Sequence, residues 1–522
     1  MSKFHSTVSR REFMKGLGFT GAGLGLASLA SPVFHDFDEM ISASPAVHKW
    51  PWWVKELEYD NTTVDIDWGK VTRADFRHVN QCSWQGKKEG EAWIDLRDGA
   101  GTADRLYAEN AQRREQGLKS NDPFYDLRNR ALTGVLFSAG LGFNAYSPDG
   151  FIGPKVTTPE DLKVPKWTGT AEEASILLRQ VCVLLGASDI SIVELNPATS
   201  RNMIHSHEFH DGKPYVFEDV DQAYFTGTVT TARASNNDGK RVIPNKCRWV
   251  VQYNFDESHT WLGRFAEEGG LRYPEGRQIQ LRIQAFLHGL GYQAIGPLDY
   301  TNNLSENVGM AILGGTSELG RNNMAMSPRF GAVHGECASI ITDLQLAPTK
   351  PIDAGMRRFC HTCMKCAELC PGGALSRQGD PTGEIIKEPS WEPIGPWQRW
   401  PNRSEFESKT PQVFRQEPGI NEPAFYSHWW YSMPDCRPMY DICGTWGCGV
   451  NCPFKGKGEA SVHELVMTTT KFTPIFNSFF RAMDDTMGYG QEKMKEPDYI
   501  NAFWEGKVEL PRFGTETSTA WR

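Results

Sequence analysis

The clearest hydrophobic pattern in the chain lies in its middle third. Thr170 and Glu173 match a capping box, and Leu177, Val181 and Leu184 then recur on one helical face as far as Gly186. Ile190 to Leu195 reads as a short buried strand, and Val242 to Phe255 contains another centred on Trp249-Val250-Val251. A second helix is predicted over Arg277–Leu290, because Ile279, Ile283, Phe286, Leu287 and Leu290 share a face and Gly291 supplies a stop. Tyr292 to Ile295 follows as a strand. This alternation over 168–347 predicts an α/β (α+β) core.

The flanks are less regular. Residues 45–167 mix Trp, Pro, Gly and charge without sustained periodicity, which predicts a loop-rich region with short helices. Pro348 and Pro351 suggest a linker into a C-terminal cysteine region over 348–460. Within it, 371–435 is rich in Pro and Trp and reads as a long ordered insertion. Ser461–Thr470 and Pro474–Met487 are predicted helices in a C-terminal region, 461–522, with Pro474 suited to a first turn. No run of about 18 apolar residues appears, so no segment is expected to span a bilayer.

Composition adds an exclusion. Of 522 residues, 55 are Lys or Arg and 64 are Asp or Glu, a formal net charge of −9. Nucleic-acid binders usually carry a basic stripe, so that partner class is not expected.

The first 44 residues read as a leader. Ser9-Arg10-Arg11-Glu12-Phe13-Met14-Lys15 precedes a weakly apolar, Gly/Ala-rich stretch, Gly16 to Ala30, in the order of a twin-arginine export signal. Cleavage is expected after a small-residue site such as Ser28-Leu29-Ala30 or Ser42-Ala43-Ser44. Export in the folded state suits a protein whose cofactors are inserted beforehand.

Twelve cysteines in an exported protein would ordinarily suggest disulfides. Their spacing suggests otherwise. Cys360, Cys363, Cys366 and Cys370 form C-x2-C-x2-C-x3-C before Pro371, the ferredoxin run for a [4Fe–4S] cluster. A structural zinc site would more often pair two C-x2-C hooks. Cys436, Cys443, Cys448 and Cys452 form a looser second set, again ending x3-Cys-Pro. Crossed ligation would join Cys360, Cys363 and Cys366 to Cys452, and Cys436, Cys443 and Cys448 to Cys370. Cys82, Cys182, Cys247 and Cys337 stand alone and are read as buried thiols.

Other candidates carry weaker signals. His205, His207 and His210 lie close enough to bind zinc, though Ser, Glu and Asp around them read as a solvated loop. Trp391, Trp397, Trp400, Trp429 and Trp430 could wall a channel for small apolar molecules or simply pack a core. The turn Gly314-Gly315-x4-Gly320 could cradle a cofactor through backbone N–H groups or be a plain left-handed turn.

Together the Arg-Arg-Glu-Phe-Met-Lys leader, Gly315-Thr-Ser-Glu-Leu-Gly-Arg321, Ser327-Pro-Arg-Phe-Gly331, Ile341-Thr-Asp-Leu344 and the two cysteine sets resemble the corrinoid-dependent reductive dehalogenases of organohalide-respiring bacteria. The opening Met-Ser-Lys-Phe-His and the late Pro474-Ile-Phe-Asn-Ser-Phe-Phe are similar to the chloroethene-reducing branch. The resemblance implies a cobamide bound base-off in a nitroreductase-like core, a C-terminal ferredoxin-like domain with two [4Fe–4S] clusters, and replacement of carbon–halogen by carbon–hydrogen. It implies Tyr273, placed shortly before the second helix, as proton donor, with Asn302 beside it. The family's cation falls at Gly335, next to His334, so His334 and Arg329 are its candidate substitutes. Gly314, Gly315, Gly320 and Ser327 become candidates to hold the cofactor. A small halogenated substrate, a small membrane-anchor protein and an upstream electron donor are implied partners, on the outer face of the cytoplasmic membrane. Two other readings stay open: an epoxyqueuosine-reductase-type enzyme, and a corrinoid-free iron–sulfur carrier.

Overall fold

The computed structural model describes His48, Trp50 and residues 53–66, 68–69, 71–73, 87–88, 91–92, 100–123, 125–136, 149–208, 211–229, 238–256, 272–298, 303–332, 334–370, 375, 447–454, 469, 475, 477–486 and 497–507. The leader, Cys82, His210, Asn302, Cys436, Cys443, all five tryptophans of 391–430 and nearly all of 371–435 and 461–470 lie outside the described residues.

A four-stranded sheet organises the core. With β1 at Lys55–Glu56, its strands are β2 (Asp189–Glu194), β5 (Trp249–Asp256), β6 (Ala294–Ile295) and β9 (His334–Thr342), in the order β2-β5-β9-β6. Every pairing is antiparallel: Ile192 faces Val251, which faces Ile340, and Ile341 faces Ile295. The α/β alternation is therefore an α+β arrangement, helices laid on an antiparallel sheet. A smaller sheet sets β3 (Tyr215–Glu218) parallel to β4 (Arg241–Pro244).

Side chains alternate across the pleat, and both faces are covered. On one face Ile190, Ile192, Val251, Tyr253, Phe255, Ala338 and Ile340 pack beneath α3 (Ala171–Leu184) and α4 (Arg272–Leu290), which follow α1 (Thr102–Ser120) and α2 (Leu127–Leu136) in the chain. On the other face Val193, Val250 and Ile341 meet α5 (Asn307–Leu313), all seven residues of which are buried.

The expected helices form, with shifts that packing explains. Thr170 caps α3 reciprocally with Glu173, at 3.1 and 2.9 Å. The buried stripe of α3 is Ala174, Leu178 and Cys182 instead of Leu177, Val181 and Leu184, and Leu184 is 84% exposed. The helix is apolar on more than one flank, and contact with the sheet selects the narrower one. The second predicted helix begins a turn early, at Arg272, so Tyr273 lies within its first turn and not before it. Pro274 does not stop it, because first-turn N–H groups have no helical acceptor to lose.

The loop-rich reading of 45–167 misses α1, 19 residues long. Most of its described side chains are exposed. Its support comes from surface pairs such as Glu115–Lys119, at 2.6 Å. The segment expected as a linker is stitched to the core instead. The Thr349 N–H donates to the Ile192 carbonyl and its hydroxyl to the Gly314 carbonyl, at 2.9 and 2.6 Å.

Candidate functional site

Past that segment, β10 (Ile352–Asp353) pairs back onto β1, and two helices present the first cysteine set. α6 (Met356–Cys363) carries Cys360 and Cys363 one turn apart, and α7 (Lys365–Glu368) carries Cys366. Between them Met364 takes a left-handed conformation, φ 51°, which costs a non-glycine residue about 1–2 kcal/mol. That turn swings Cys366 back toward the first two thiols. From the far side α8 (Gly447–Val450) and the turn after it deliver Cys448 and Cys452.

The thiols surround a cavity whose lining includes Cys360, Cys363, Cys366, Cys448, Cys452 and Arg321. Burial, reinforced by the neighbouring Cys360, Cys363 and Cys452, pushes the Cys366 thiol well above its ordinary range. Burial, then Cys370, pushes Cys448 to about 12. Cys366 thus neighbours Cys360, Cys363 and Cys452, and Cys448 neighbours Cys370, while Cys366 also packs with Cys370 and Cys448 around Ala367 and Leu375. None of the eight described cysteines is in a disulfide.

Thiols this buried and this close cannot ionise together unless a cation balances them. Iron supplies such charge, and a coordinating thiol is deprotonated outright. No three His, Cys, Asp or Glu side chains among the described residues close on a point as a single ion requires. A cubane interposes itself between its ligands and suits a wider cradle. The donor set fits an iron–sulfur cluster.

The core also reaches into this cradle. β7 (Glu318–Leu319) and β8 (Ala325–Met326) form a hairpin that brings Arg321 and Asn322 to the cavity wall. Glu318 accepts the N–H groups of Ala354 and Met356, both at 3.0 Å, and so fixes the start of α6. Burial, then Asp353, pushes its carboxyl above the usual range.

The glycine turn has an internal purpose. A Cβ on Gly314 would collide with Ser191, and one on Gly315, at φ +78°, with the Lys350 carbonyl. At Gly320 it would meet Met326 Sδ at 2.7 Å. These glycines admit neighbouring chain, and of the three only Gly315 takes the left-handed conformation of a plain turn. Ser327 is similarly committed: its hydroxyl accepts the N–H groups of Arg329 and Phe330, at 3.1 and 3.3 Å.

Tyr273 is half-buried in the first turn of α4. His334 opens β9, paired with Asp256 at the end of β5. Arg329 is not held in reserve as an active-site cation. It binds the buried Asp189 carboxylate at 2.8 Å and lies over the Trp50 ring, 4.5 Å from its centre. His205 is buried with Nε2 3.2 Å from Glu306, so the solvated-loop reading fails there, and His207 lies 3.0 Å from the Ser206 hydroxyl. Cys182 and Cys247 are buried thiols, each pushed to about 12, chiefly by burial.

One feature of the sheet escaped the sequence reading. On the α5 face, Ser191, Gln252 and Ser339 stand side by side across three strands, with Asn254 on the same strand face as Gln252, and all are fully buried. Ser191 pairs with Thr316, and Ser339 with Ser305 and Asn307. Gln252 Nε2 donates to Asn254 Oδ1 at 2.7 Å. Gln252 Oε1 and Asn254 Nδ2 find no partner among the described residues. The signal was the alternation in Asp189-Ile-Ser-Ile and Val251-Gln-Tyr-Asn-Phe, which ordinarily marks a solvated face. Here that face is buried, and orphaned amides of this kind call for a polar ligand.

Comparison with known proteins places this architecture. The model of the family described as "Dehalogenase: Reductive dehalogenase subunit" matches residues 49–346. A chloroethene reductive dehalogenase of Dehalococcoides mccartyi strain VS is 28% identical over 99% of this chain and 100% of its own length. A tetrachloroethene reductive dehalogenase of Dehalobacter restrictus is 41% identical over 42% of this chain and 34% of its own. Among solved structures, the catabolic reductive dehalogenase NpRdhA aligns over 85% of this chain with a TM-score of 0.52 and 16% identity. The chain spans half the length of that protein.

Proposed function

The chain belongs to the reductive dehalogenase family, and from that premise we propose that it replaces carbon–chlorine by carbon–hydrogen in a chlorinated ethene. The enzyme class, an oxidoreductase acting on halogen, follows from the family. The substrate class rests on a full-length relative named for chloroethene. The observation that carries the redox part is the cavity lined by Cys360, Cys363, Cys366, Cys448 and Cys452.

The reaction takes two electrons and one proton: R–Cl becomes R–H, and chloride leaves. Two [4Fe–4S] clusters of crossed ligation would each relay one electron at a time. Cys360, Cys363, Cys366 and Cys452 would hold the inner one, and Cys370, Cys436, Cys443 and Cys448 the outer. A base-off cobamide, when bound, supplies the strongly reducing centre that breaks the carbon–halogen bond. The Ser191–Gln252–Ser339 row and Asn254 fit such a group, because a corrin is edged with amides that would pair with Gln252 Oε1 and Asn254 Nδ2. Gly314, Gly315, Gly320 and Ser327 would then act indirectly, by fixing the turn beneath α5.

Tyr273 is the residue we assign to proton delivery, its O–H donating toward the carbon that loses chloride. Asn302 and His334 are assigned to orient the substrate and favour the ionised phenol. Arg329, tied to Asp189, is assigned to the scaffold. Export by the twin-arginine signal, docking on a small membrane-anchor protein and an upstream respiratory donor complete the reading. The net charge of −9 and the full-length likeness to a chloroethene enzyme favour it over action on tRNA.

Metal analysis of anaerobically purified protein tests the whole. About eight irons and one cobalt per chain, with chloroethene turnover driven by a low-potential dye, are expected. Iron without cobalt would leave only an electron carrier.

A further inference from the structure

The hairpin of β7 and β8 belongs to the core, yet its tip lodges among the cysteines. Arg321, about 1% exposed, donates from Nε and from a terminal nitrogen to the carbonyl oxygen of Cys360, at 3.0 and 2.7 Å. The next residue, Asn322, lines the cavity together with Cys448, which packs with Cys370 around Ala367 and Leu375. Arg321 and Asn322 thus both stand at the cavity wall, with the guanidinium fixed to the Cys360 side.

The groups differ in setting. Cys360, Cys363 and Cys452 are buried and pack with Phe359, Phe454 and Met326. Cys366, Cys370 and Cys448 are half-buried, so the inner group is buried at three of its four thiols. Cluster potentials follow net charge, hydrogen bonds to sulfur and exposure. A guanidinium buried beside one cluster favours the form carrying an extra electron, and low dielectric magnifies that preference. An amide hydrogen bond carries no net charge and acts more weakly.

We propose that the Arg321-Asn322 tip grades the two clusters, with the charge of Arg321 holding the inner potential above the outer. With both clusters bound, a one-electron donor would reduce the outer one, and transfer inward would oxidise the outer by one electron and reduce the inner by one, with no bond made or broken. Arg321 is a positioning residue in this scheme, and the scheme rests on the two-cluster reading above.

Potentiometric titration followed by electron paramagnetic resonance tests it, with iron counted in each preparation. Arg321→Gln, which keeps a donor and loses the charge, is expected to lower the midpoint of one cluster and leave the other in place. Arg321→Lys, which keeps the charge and loses the fork, is expected to titrate near wild type. A fully loaded Arg321→Gln protein with both midpoints unchanged, or with both displaced equally, overturns the proposal. So does Arg321→Lys falling as far as Arg321→Gln. Should the glutamine variant fail to load iron, the lysine variant decides alone: loss of its iron or a lowered midpoint counts against the charge. Wild-type protein with no iron–sulfur signal would remove the two-cluster reading itself, a separate failure.

Discussion

Arg329 and Asp189 form an ion pair 2.8 Å long in the interior, with side chains 11% and 2% exposed. Arg179 lies 3.4 Å and His48 3.7 Å from the other Asp189 oxygen. His48 Nε2 also donates to the Ile190 carbonyl at 2.6 Å, fastening the segment around His48 to the edge strand of the sheet. Burial alone would raise the Asp189 carboxyl, but Arg329, His48 and Arg179 outweigh it and hold it below its usual range.

The pair makes the fold acid-sensitive in a defined window. Burial, with Arg329 and Arg179 adding and Asp189 opposing, depresses His48 below its ordinary value. The unfolded chain therefore takes up a proton that the folded chain refuses. Stability from His48 is complete above about pH 6.5 and is lost progressively as pH falls toward the depressed folded value. Denaturant midpoints at pH 7.5 and 5.5 should fall for wild type and fall less for His48→Gln. Equal losses would clear His48 of the effect. Asp189→Ala, which removes the carboxylate shared by the half-buried Arg179 and Arg329, should lower stability, by at most about 3–5 kcal/mol.

Crossed ligation predicts which cysteines fail together. Cys452→Ser should abolish the same paramagnetic signal as Cys360→Ser, although the two lie far apart in sequence. Cys448→Ser should share its lesion with Cys370→Ser. Each variant should lose about half of the iron. If Cys452 groups with Cys448, the clusters are ligated set by set and the crossing is wrong.

The polar row separates a ligand site from a packing accident. Gln252→Leu removes an acceptor that is orphaned in the interior, but also the donor to Asn254 Oδ1 and to the Tyr253 carbonyl, so it should cost about 1–3 kcal/mol of stability in either case. As a cofactor contact it should in addition lower cobalt content while iron stays at the wild-type level. Unchanged cobalt per folded chain would show the row to be scaffold.

Tyr273→Phe should retain both metals and lose turnover, by about 10²–10⁴-fold if the phenol is the proton donor. Steady-state rates on one chloroethene, normalised to cobalt, measure this. Near-normal turnover would return Tyr273 to the role of a helix-start tyrosine.

The sequence by itself determined what is local. Thr170 and Glu173 name a helix start three residues apart, Gly291 names a stop, and Cys360, Cys363 and Cys366 name a cluster cradle, because each needs only neighbours along the chain. Tertiary structure decided everything that needs partners from afar. Which flank of α3 is buried, why Gly315 must be glycine, and that Arg329 belongs to Asp189 depend on strands and loops brought together only by the fold, the last two on partners more than 30 residues away. The Ser191–Gln252–Ser339 row is the clearest case. Alternation told which residues share a face, but only the arrival of α5 turned a face that reads as solvated into a buried one.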